Sequence, residues 1–349
     1  MASMMHKFGS MFRGQERSPW LWKVVLGVIL LLVIVLTVIG MYWSNEPAQF
    51  DVNKVARETA TEHGYDPNKP LVVGYTIGST LHELVSTLLN KPGGYISNDV
   101  MPPGVFMDNM PSWEFGVLVQ VRDLSRAMRK EFSRSQSQST EDVNLKVAEP
   151  QFNFDNKSWA LPSSESEYRR GNKELMDYLN RLAGTSGSGN PAKFYARADN
   201  LVDWLSDVNT RLGSLAQRLS ASVVDENMTP AGVSDEDAAG GGHQRAYHRT
   251  PWMQIDNVFY EARGTTWALL EILRAVEVDF APTLKDKNAL VSLRQIIHEL
   301  DATQDTVWSP MILNGSGFGV LANHSLVMAS YISRANAALI DLRRLLQQG

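Results

Sequence analysis

Apolar positions fall into one unbroken run near the N-terminus and a series of shorter periodic segments beyond it. Between Leu21 and Tyr42 the only charged residue is Lys23, and valine, isoleucine and leucine dominate. A helix over this run would rise about 33 Å, enough to cross a bilayer hydrocarbon core of about 30 Å. Aromatic rings favour the headgroup level, and four of them flank the run: Trp20, Trp22, Tyr42 and Trp43. The pattern therefore predicts a transmembrane helix over residues 21–43.

The length of the run favours a retained signal anchor over a cleaved signal peptide. A signal peptide has an apolar centre of about 7–15 residues, followed by small residues at its cleavage site. This run is longer, and the residues from Gly40 to Ser44 offer no suitable pair of small side chains. We therefore expect the helix to remain in the mature protein.

Charged residues on either side of the anchor predict its orientation. The segment that precedes or opens it contains one anion, Glu16, and four cations: Lys7, Arg13, Arg17 and Lys23. Just beyond it, anions outnumber cations: Glu46, Asp51, Glu58 and Glu62 against Lys54 and Arg57. Because cationic flanks stay in the cytoplasm, residues 1–20 are predicted to be a cytoplasmic tail and residues 44–349 to lie across the membrane. In a Gram-negative bacterium this would be an inner-membrane protein with its body in the periplasm.

Helical periodicity dominates the rest of the chain. Helices are predicted near residues 51–63, 79–89, 113–132, 163–182, 201–219, 253–278, 286–308 and 321–346, and the apolar run Leu71–Thr76 fits a short strand. Asp51 can cap the first of these helices and Ser112 the third. The predicted fold class is mainly α, a helical bundle with irregular loops rich in proline and glycine. The bundle divides into residues 44–160 and 161–349, or forms one continuous domain.

The clearest periodicity is a stripe on the segment after Pro191. Its members step by four and three residues: Leu201, Leu205, Val208, Leu212, Leu215 and Leu219. Two interpretations are open. The stripe fits an ordinary helix that faces the protein core, and it also fits a coiled-coil contact with a helix of another chain, although such contacts usually extend over more heptads.

Charge and cysteine content narrow the classes of partner. The chain has 349 residues and a net charge of −5; removing the four cations and one anion of the N-terminal segment leaves 29 cations and 37 anions, a net charge of −8. An acidic surface repels phosphate backbones, so nucleic acid is not an expected partner. The chain contains no cysteine, which excludes disulfides, thiolate metal sites and cysteine nucleophiles.

Sequence motifs for catalysis or cofactor binding are missing. His82 and His298 are each followed by a glutamate, but neither has the second histidine four residues later that a zinc protease helix requires. His243 and His248 lie in a polar, glycine-rich stretch, and two loop histidines alone do not form a metal site. Neither Gly-x-Ser-x-Gly nor a phosphate-binding loop occurs. We therefore expect neither a metal nor a cofactor.

Two irregular segments nevertheless keep many apolar and aromatic residues. They are Asn90–Pro111, with four prolines and three glycines, and Phe152–Trp159. Their side chains are the best candidates for a binding or active site: Asp99, Asp108, Asn109, Trp113, Asp155 and Trp159. Hydrolysis of a glycosidic bond would need two such carboxyl groups to face each other across a cleft. The alternative is that these side chains only stabilise loops.

Three stretches of the chain carry a family resemblance. They are Asp108–Gly116 with the following Arg122 and Asp123, then Ser133–Ser137, and Phe152–Asn156. Together they resemble the proteobacterial domain-of-unknown-function family 2333, and the resemblance covers essentially the whole chain. It implies an uncharacterised inner-membrane protein with a periplasmic body, and it implies no activity and no functional residues.

On these grounds the sequence predicts an envelope protein with an interaction or scaffold role. It would contact the bilayer through residues 21–42 and bind another envelope protein, or a second copy of itself, through the leucine stripe or the Pro/Gly-rich segment. The alternative is a periplasmic hydrolase acting on cell wall or lipid with carboxylates of the two irregular segments. Two carboxyl groups facing one enclosed cleft would favour the hydrolase.

Overall fold

The computed structural model describes residues 19–134, 140–186, 190–222, 250–309, 311–313 and 323–348, which form helices joined by turns. The mainly α fold class is confirmed, and the strand expected at Leu71–Thr76 is wrong, because these ranges contain no strand. A lone strand would have no neighbour to accept its backbone hydrogen bonds. Residues 71–74 are irregular instead, and a helix begins at Tyr75.

The first helix, α1, spans Pro19–Trp43 and stands apart from the rest of the chain over most of its length. Its side chains from Trp22 to Val35 are all exposed, although nearly all of them are apolar. An 18-residue window within Trp22–Trp43 has a mean hydropathy of 3.2. Among the described residues, α1 is the one helix that is long and apolar enough to cross a membrane.

Ten further helices lie in the described ranges. They are α2 (Val52–Glu62), α3 (Tyr75–Asn90), α4 (Asn109–Ala127), α5 (Leu145–Phe152), α6 (Ser164–Ala183), α7 (Ala198–Ala221), α8 (Ile255–Asp279), α9 (Ala281–Asp286), α10 (Leu290–Asp301) and α11 (His324–Gln347). A π-helical turn, Met128–Phe132, extends α4, and short 3₁₀ turns span Gly104–Phe106, Trp252–Gln254 and Ala302–Gln304.

Side chains that accept hydrogen bonds from the first backbone N–H groups fix the starts of two helices. One of these side chains is adjacent in sequence and the other is distant. Asp51 caps α2 as predicted, because its carboxylate accepts hydrogen bonds from the backbone N–H groups at positions 53 and 54. α3 begins earlier than predicted, because Asp279 at the end of α8 accepts a 2.8 Å hydrogen bond from the backbone N–H of Ile77. Burial raises the pKa of Asp279 to about 6, and hydrogen bonds from the backbone N–H groups at the start of α3 oppose that rise.

Two other predicted boundaries are wrong. α4 begins at Asn109, inside the segment expected to be irregular, and the Ser112 hydroxyl donates to the backbone carbonyl of Asp108 instead of capping the helix. The helix expected over residues 286–308 is shorter. Asn288 adopts a positive φ of 54° before α10, and α10 ends at Asp301.

α8 is the central helix of the body. It packs mainly on α4 and also contacts α3, α7, α10 and α11. The buried rings of Trp113 on α4 and Trp267 on α8 lie 5.1 Å apart. The buried apolar side chains from Val52 to Leu346 form one cluster, with members in both 44–160 and 161–349.

Two glycines let α4 and α8 approach each other backbone to backbone. A Cβ atom added at Gly264 would collide with the backbone carbonyl of Trp113, and one added at Gly116 would collide with that of Glu261. The two helices therefore cross where neither carries a side chain. No other residue type fits this crossing without moving one of the helices.

The leucine stripe lies in the core of the chain itself. All six side chains, from Leu201 to Leu219, are buried, and α7 packs mainly on α11. Of the two interpretations left open by the sequence, the structure shows the core-facing helix. The stripe therefore offers no surface to a helix of another chain.

We expect Gly264→Ala to destabilise the body by about 2–3 kcal/mol, because the new methyl group must displace α4. Gly213→Ala is the matched control: Gly213 also lies within a helix, but its added Cβ would meet only the Asn336 side-chain nitrogen at 3.7 Å. That change should be neutral or stabilise by up to about 1 kcal/mol. Urea unfolding of the detergent-solubilised protein, followed by circular dichroism, measures both. Equal stabilities would contradict the close crossing.

Candidate functional site

A buried ion pair organises the irregular segment between α3 and α4, which we call the Pro/Gly loop (residues 91–108). The Nζ atom of Lys91 lies 2.6 Å from an Oε atom of Glu114, and both side chains are almost fully buried. Glu114 also accepts hydrogen bonds from the backbone N–H groups of Ile96 and Ser97 and from the Ser97 hydroxyl, while Lys91 donates to the Gly94 carbonyl. The loop is thereby folded around one carboxylate.

The charge of the buried Glu114 carboxyl is stabilised both by Lys91 and by the backbone of the loop. Burial raises the pKa of the Glu114 carboxyl, and the Lys91 ammonium and the hydrogen bonds from residues 96 and 97 oppose that rise. Because a buried charge without a partner costs several kcal/mol, the pair and the loop conformation depend on each other.

The two irregular segments pack against each other, as a common site requires. The Asn98 side-chain amide donates to the Ser158 carbonyl and to Glu165, each at 2.8 Å. Arg122 on α4 donates to the backbone carbonyls of Phe152 and Phe154, so it joins α4 to the second segment. The Pro/Gly loop therefore has a fixed position relative to residues 152–159.

Two of the predicted site residues line one cleft. The acidic cleft, as we call it, has a volume of about 470 Å³ and carries the carboxyl groups of Asp99, Asp108 and Glu261. An adjoining cleft of about 270 Å³ shares Asp108 and adds Asn109 and Asp256. Three of the six predicted residues, Asp99, Asp108 and Asn109, therefore meet at one place.

The other three predicted residues do not line either cleft. Trp113 is fully buried in the core against Trp267, so its ring is not open to a ligand. Asp155 is exposed, and its carboxylate accepts a hydrogen bond from the backbone N–H of Lys157, which is the loop-stabilising alternative. Trp159 is 64% exposed and lines neither cleft.

Charge in the clefts is predominantly negative. Burial and the nearby Glu165 raise the pKa of Asp99, against the opposing effect of Lys91. Burial and the nearby Asp108 raise the pKa of Asp256. Glu261 is held by two hydrogen bonds from Arg218, at 2.7 and 2.5 Å. Lys157 is the one cation among the described side chains that line either cleft, so the site favours a positively charged ligand.

A second polar group joins the end of α1 to the body, and the sequence alone did not reveal it. Arg263 on α8 donates to both carboxylate oxygens of Glu46, at 2.8 and 2.6 Å, and to the carbonyls of Thr303 and Asp305. Four residues further along the chain, the backbone N–H of Phe50 donates to Glu271. We call these contacts the linker clamp.

The linker clamp is largely shielded from water. Glu271 is fully buried, and burial raises the pKa of its carboxyl to about 7 although Arg274 opposes the change. The Phe50 ring meets the Trp267 ring edge-on, with centroids 6.0 Å apart. The seven residues after α1 are thus fixed along α8 and do not form a loose tether.

A signal for these missed charged residues is present in the apolar stripes of the sequence. Arg263 lies between Phe259 and Thr266 in the buried stripe of α8. Glu114 lies four residues after Met110 on the buried face of α4. A charged residue at such a position must meet an opposite charge or a set of backbone groups when the helix packs. The sequence alone does not say which group that is, because the partner comes from another segment.

Metal-binding side chains do not gather anywhere in the described part of the chain, where no three of His, Asp or Glu are placed to hold an ion. His82 is half-buried in α3, and burial lowers its pKa. The residues His243 and His248 lie outside the described ranges, as do residues 1–18 of the predicted tail.

We expect Lys91→Met to destabilise the protein by about 3–5 kcal/mol, because it leaves Glu114 buried without its cation. The double variant with Glu114→Gln should regain part of this loss, because it removes the unpaired charge, while its single amide oxygen replaces only one of the two carboxylate oxygens that accept from residues 96 and 97.

Lys54→Met is the control for Lys91→Met, because its ion pair with Glu58 is exposed and contributes less than about 1 kcal/mol. Urea unfolding gives the stabilities, and limited proteolysis reports opening of the Pro/Gly loop. A Lys91→Met variant as stable as Lys54→Met would contradict the structural role of the pair.

Comparison with known proteins gives one family match. The profile of DUF2333, described as an uncharacterized protein conserved in bacteria, matches residues 15–349. Comparisons with curated proteins and with solved structures find no match. The match covers α1, both irregular segments, the acidic cleft and the linker clamp, so the chain belongs to the DUF2333 family of bacterial proteins.

Proposed function

We propose that this protein is a single-pass protein of the bacterial inner membrane, with its N-terminus in the cytoplasm and its helical body in the periplasm, where it binds another membrane protein as a scaffold. The exposed apolar surface of α1 supports the anchor, since such a surface is stable only in lipid. The excess of cations before α1 and of anions after it supports the orientation.

The linker clamp is the observation on which the scaffold role rests. Arg263 and Glu271 fix the chain within seven residues of the end of α1, which gives the body a defined orientation relative to the anchor. A protein that only needs to stay near a membrane works with a flexible tether. A fixed orientation is useful when a particular surface must face a partner held in the same membrane.

The partner surface we propose is the acidic cleft with its neighbour. The leucine stripe is buried, whereas Asp99, Asp108 and Asp256 are accessible from these clefts. Burial raises the pKa values of Asp99 and Asp256, and a cationic neighbour would stabilise their charged forms. We therefore propose that the partner presents lysine or arginine residues from a segment close to the bilayer.

The hydrolase is the second candidate, because Asp99 and Asp108 line one cleft and burial raises the pKa of Asp99, as in a general acid. Two observations speak against it: Asp155 lies outside the cleft, and Glu261 is already neutralised by Arg218. The test is hydrolysis of lipid or cell wall by the purified protein and by its Asp99→Asn variant. The hydrolase would replace the scaffold role if the variant lost this hydrolysis but still bound the partner.

The topology has a direct test. A reporter enzyme that is active only outside the cytoplasm, fused after Gly349, should be active in cells. The same reporter fused to a variant in which Lys7, Arg13, Arg17 and Lys23 are replaced by glutamate should lose much of its activity, because the cationic flank sets the orientation. An inactive first fusion at normal expression would overturn the proposed orientation.

The partner surface can be tested by photocrosslinking in intact cells. One photoreactive amino acid replaces Asp108, which is the most informative position because it lines both clefts. The control probe replaces Val291, which is 79% exposed at the start of α10 and lines neither cleft. Both probes therefore report on accessible positions, and only the first lies at the proposed surface.

We expect an adduct with a second membrane protein from the Asp108 probe and none from the Val291 probe. The adduct should weaken when Asp256→Lys is introduced beside the probe, because a cation in the adjoining cleft repels a basic segment. An adduct with twice the mass of the chain would identify the partner as a second copy. No adduct from the Asp108 probe at normal expression would contradict the scaffold role.

A further inference from the structure

The direction of α8 shows which end of the body lies toward α1. The linker after α1 meets Arg263 through Glu46 and then Glu271 through Phe50, so it runs along α8 in the direction of the chain, away from α1. The opposite end of α8, which begins at Ile255, therefore points back toward the end of α1. From position 263 to position 255 this end extends about 12 Å.

The Pro/Gly loop also reaches the anchor. A Cβ atom added at Gly40 would lie 3.7 Å from the Cβ atom of Pro103, and one added at Gly93 would lie 2.7 Å from the Trp43 ring. Gly40 lies about 4.5 Å before Trp43 along the helix axis. Leu36 and Ile39, on the same face of α1, are half-buried, whereas the side chains before them are exposed. The body thus covers one face of the last two turns of α1.

A third segment, which begins at Asp305, also runs from the linker clamp toward the end of the body near α1. The carbonyl of Asp305 accepts a hydrogen bond from Arg263, and Val307 lines a groove together with residues 44–49 of the linker. Further along, Ser309 and Met311 line the adjoining cleft beside Trp252. Residues 305–309 and Met311 therefore lie between the linker clamp and the first turn of α8, at the end that faces α1.

These three segments share exposed apolar side chains. We call the set the apolar collar: Met101 and Phe106 in the Pro/Gly loop, Trp252 and Met253 before α8, and Trp308 and Met311 after α10. Phe106 is 80% exposed and Trp308 is 92% exposed. In water these side chains would each keep a large apolar surface solvated, and exposed apolar side chains of this size are typical of a contact surface.

We propose that the apolar collar inserts into the interfacial layer of the bilayer around the exit of α1, so that the body lies on the membrane through its own side chains as well as through the anchor. The proposal rests on the proposed function, in that α1 must span the membrane. If it does, the segment that covers Leu36 to Gly40 lies within the lipid layer and not above it. Tryptophan suits this layer because its ring is apolar and its N–H can meet water, and phenylalanine and methionine add apolar surface that inserts at the acyl boundary.

The acidic residues beside the collar indicate that it would bind lipid through apolar contacts and not through attraction to anionic headgroups. Asp99, Asp108 and Asp256 line the clefts next to it, and Lys157 is the one cation among the described side chains that line them. Anionic lipid headgroups would be repelled by such a surface. The collar should therefore bind zwitterionic lipid at least as well as anionic lipid.

Site-specific fluorescence in lipid nanodiscs tests the proposal with the full chain. Because the chain has no cysteine, a single-cysteine variant carries one label, and we choose an environment-sensitive nitrobenzoxadiazole dye. The collar positions are Phe106→Cys and Trp252→Cys. Val33→Cys reports the anchor, and Val291→Cys is an exposed apolar control at the end of α10 away from the linker-bound Asp301.

We expect labels at the two collar positions to be quenched about twofold by lipids that carry a nitroxide near the headgroup end of the acyl chain. The Val33→Cys label should be quenched more by a nitroxide deep in the chain, and the Val291→Cys label by neither. Replacing a third of the zwitterionic lipid by an anionic one should leave the collar signals unchanged or weaker.

The outcomes separate the collar from the anchor. If the anchor label is quenched but either collar label behaves like the Val291→Cys label, the collar is overturned and the anchor stands. If the anchor label is not quenched, the proposed membrane span fails and the collar fails with it. A blue-shifted collar label without quenching would assign the patch to a protein contact, which also overturns the proposal.

Discussion

The close crossing of α4 and α8 is the constraint on which the rest of the structure depends. Gly264 meets the backbone of α4, and the preceding residue, Arg263, holds Glu46 of the linker. One turn of α8 therefore connects the linker after α1 to α4, the helix that carries Glu114 and follows the Pro/Gly loop. A change that moved α4 away from α8 would alter both the cleft and the position of the body relative to α1.

Buried charges fix the irregular parts of this fold, where helix packing cannot. Glu114 folds the Pro/Gly loop, Glu271 and Arg263 fix the linker, and Asp279 starts α3 from a position far later in the chain. Each carboxyl group loses its hydration on burial, which is why burial raises the pKa of Glu114, Glu271 and Asp279. Hydrogen bonds and cations offset that loss only in one backbone arrangement, so these groups select a conformation more than they add stability.

The sequence predicted what depends on local periodicity, and it missed what depends on contacts between distant residues. The helices around residues 253–278 and 201–219 follow from apolar spacing, and Asp51 was recognisable as a cap because its partners are adjacent. The early start of α3 was not predictable, since its cap is Asp279. The indole of Trp113 resembled a site residue because it borders the Pro/Gly loop, but it faces the core.

The acidic cleft and the apolar collar belong to the same surface, and this limits what can reach the cleft. Asp108 ends the Pro/Gly loop, which carries Met101 and Phe106, and across the adjoining cleft it faces the segment with Trp252 and Met253. With the collar in the interfacial layer, the mouth between these segments opens at the level of the lipid headgroups. A basic segment that has just left the bilayer would arrive there with its charges already close to Asp108, whereas a soluble protein would have to displace lipid first. The proposed insertion of the collar would therefore favour a membrane protein as the partner of this cleft.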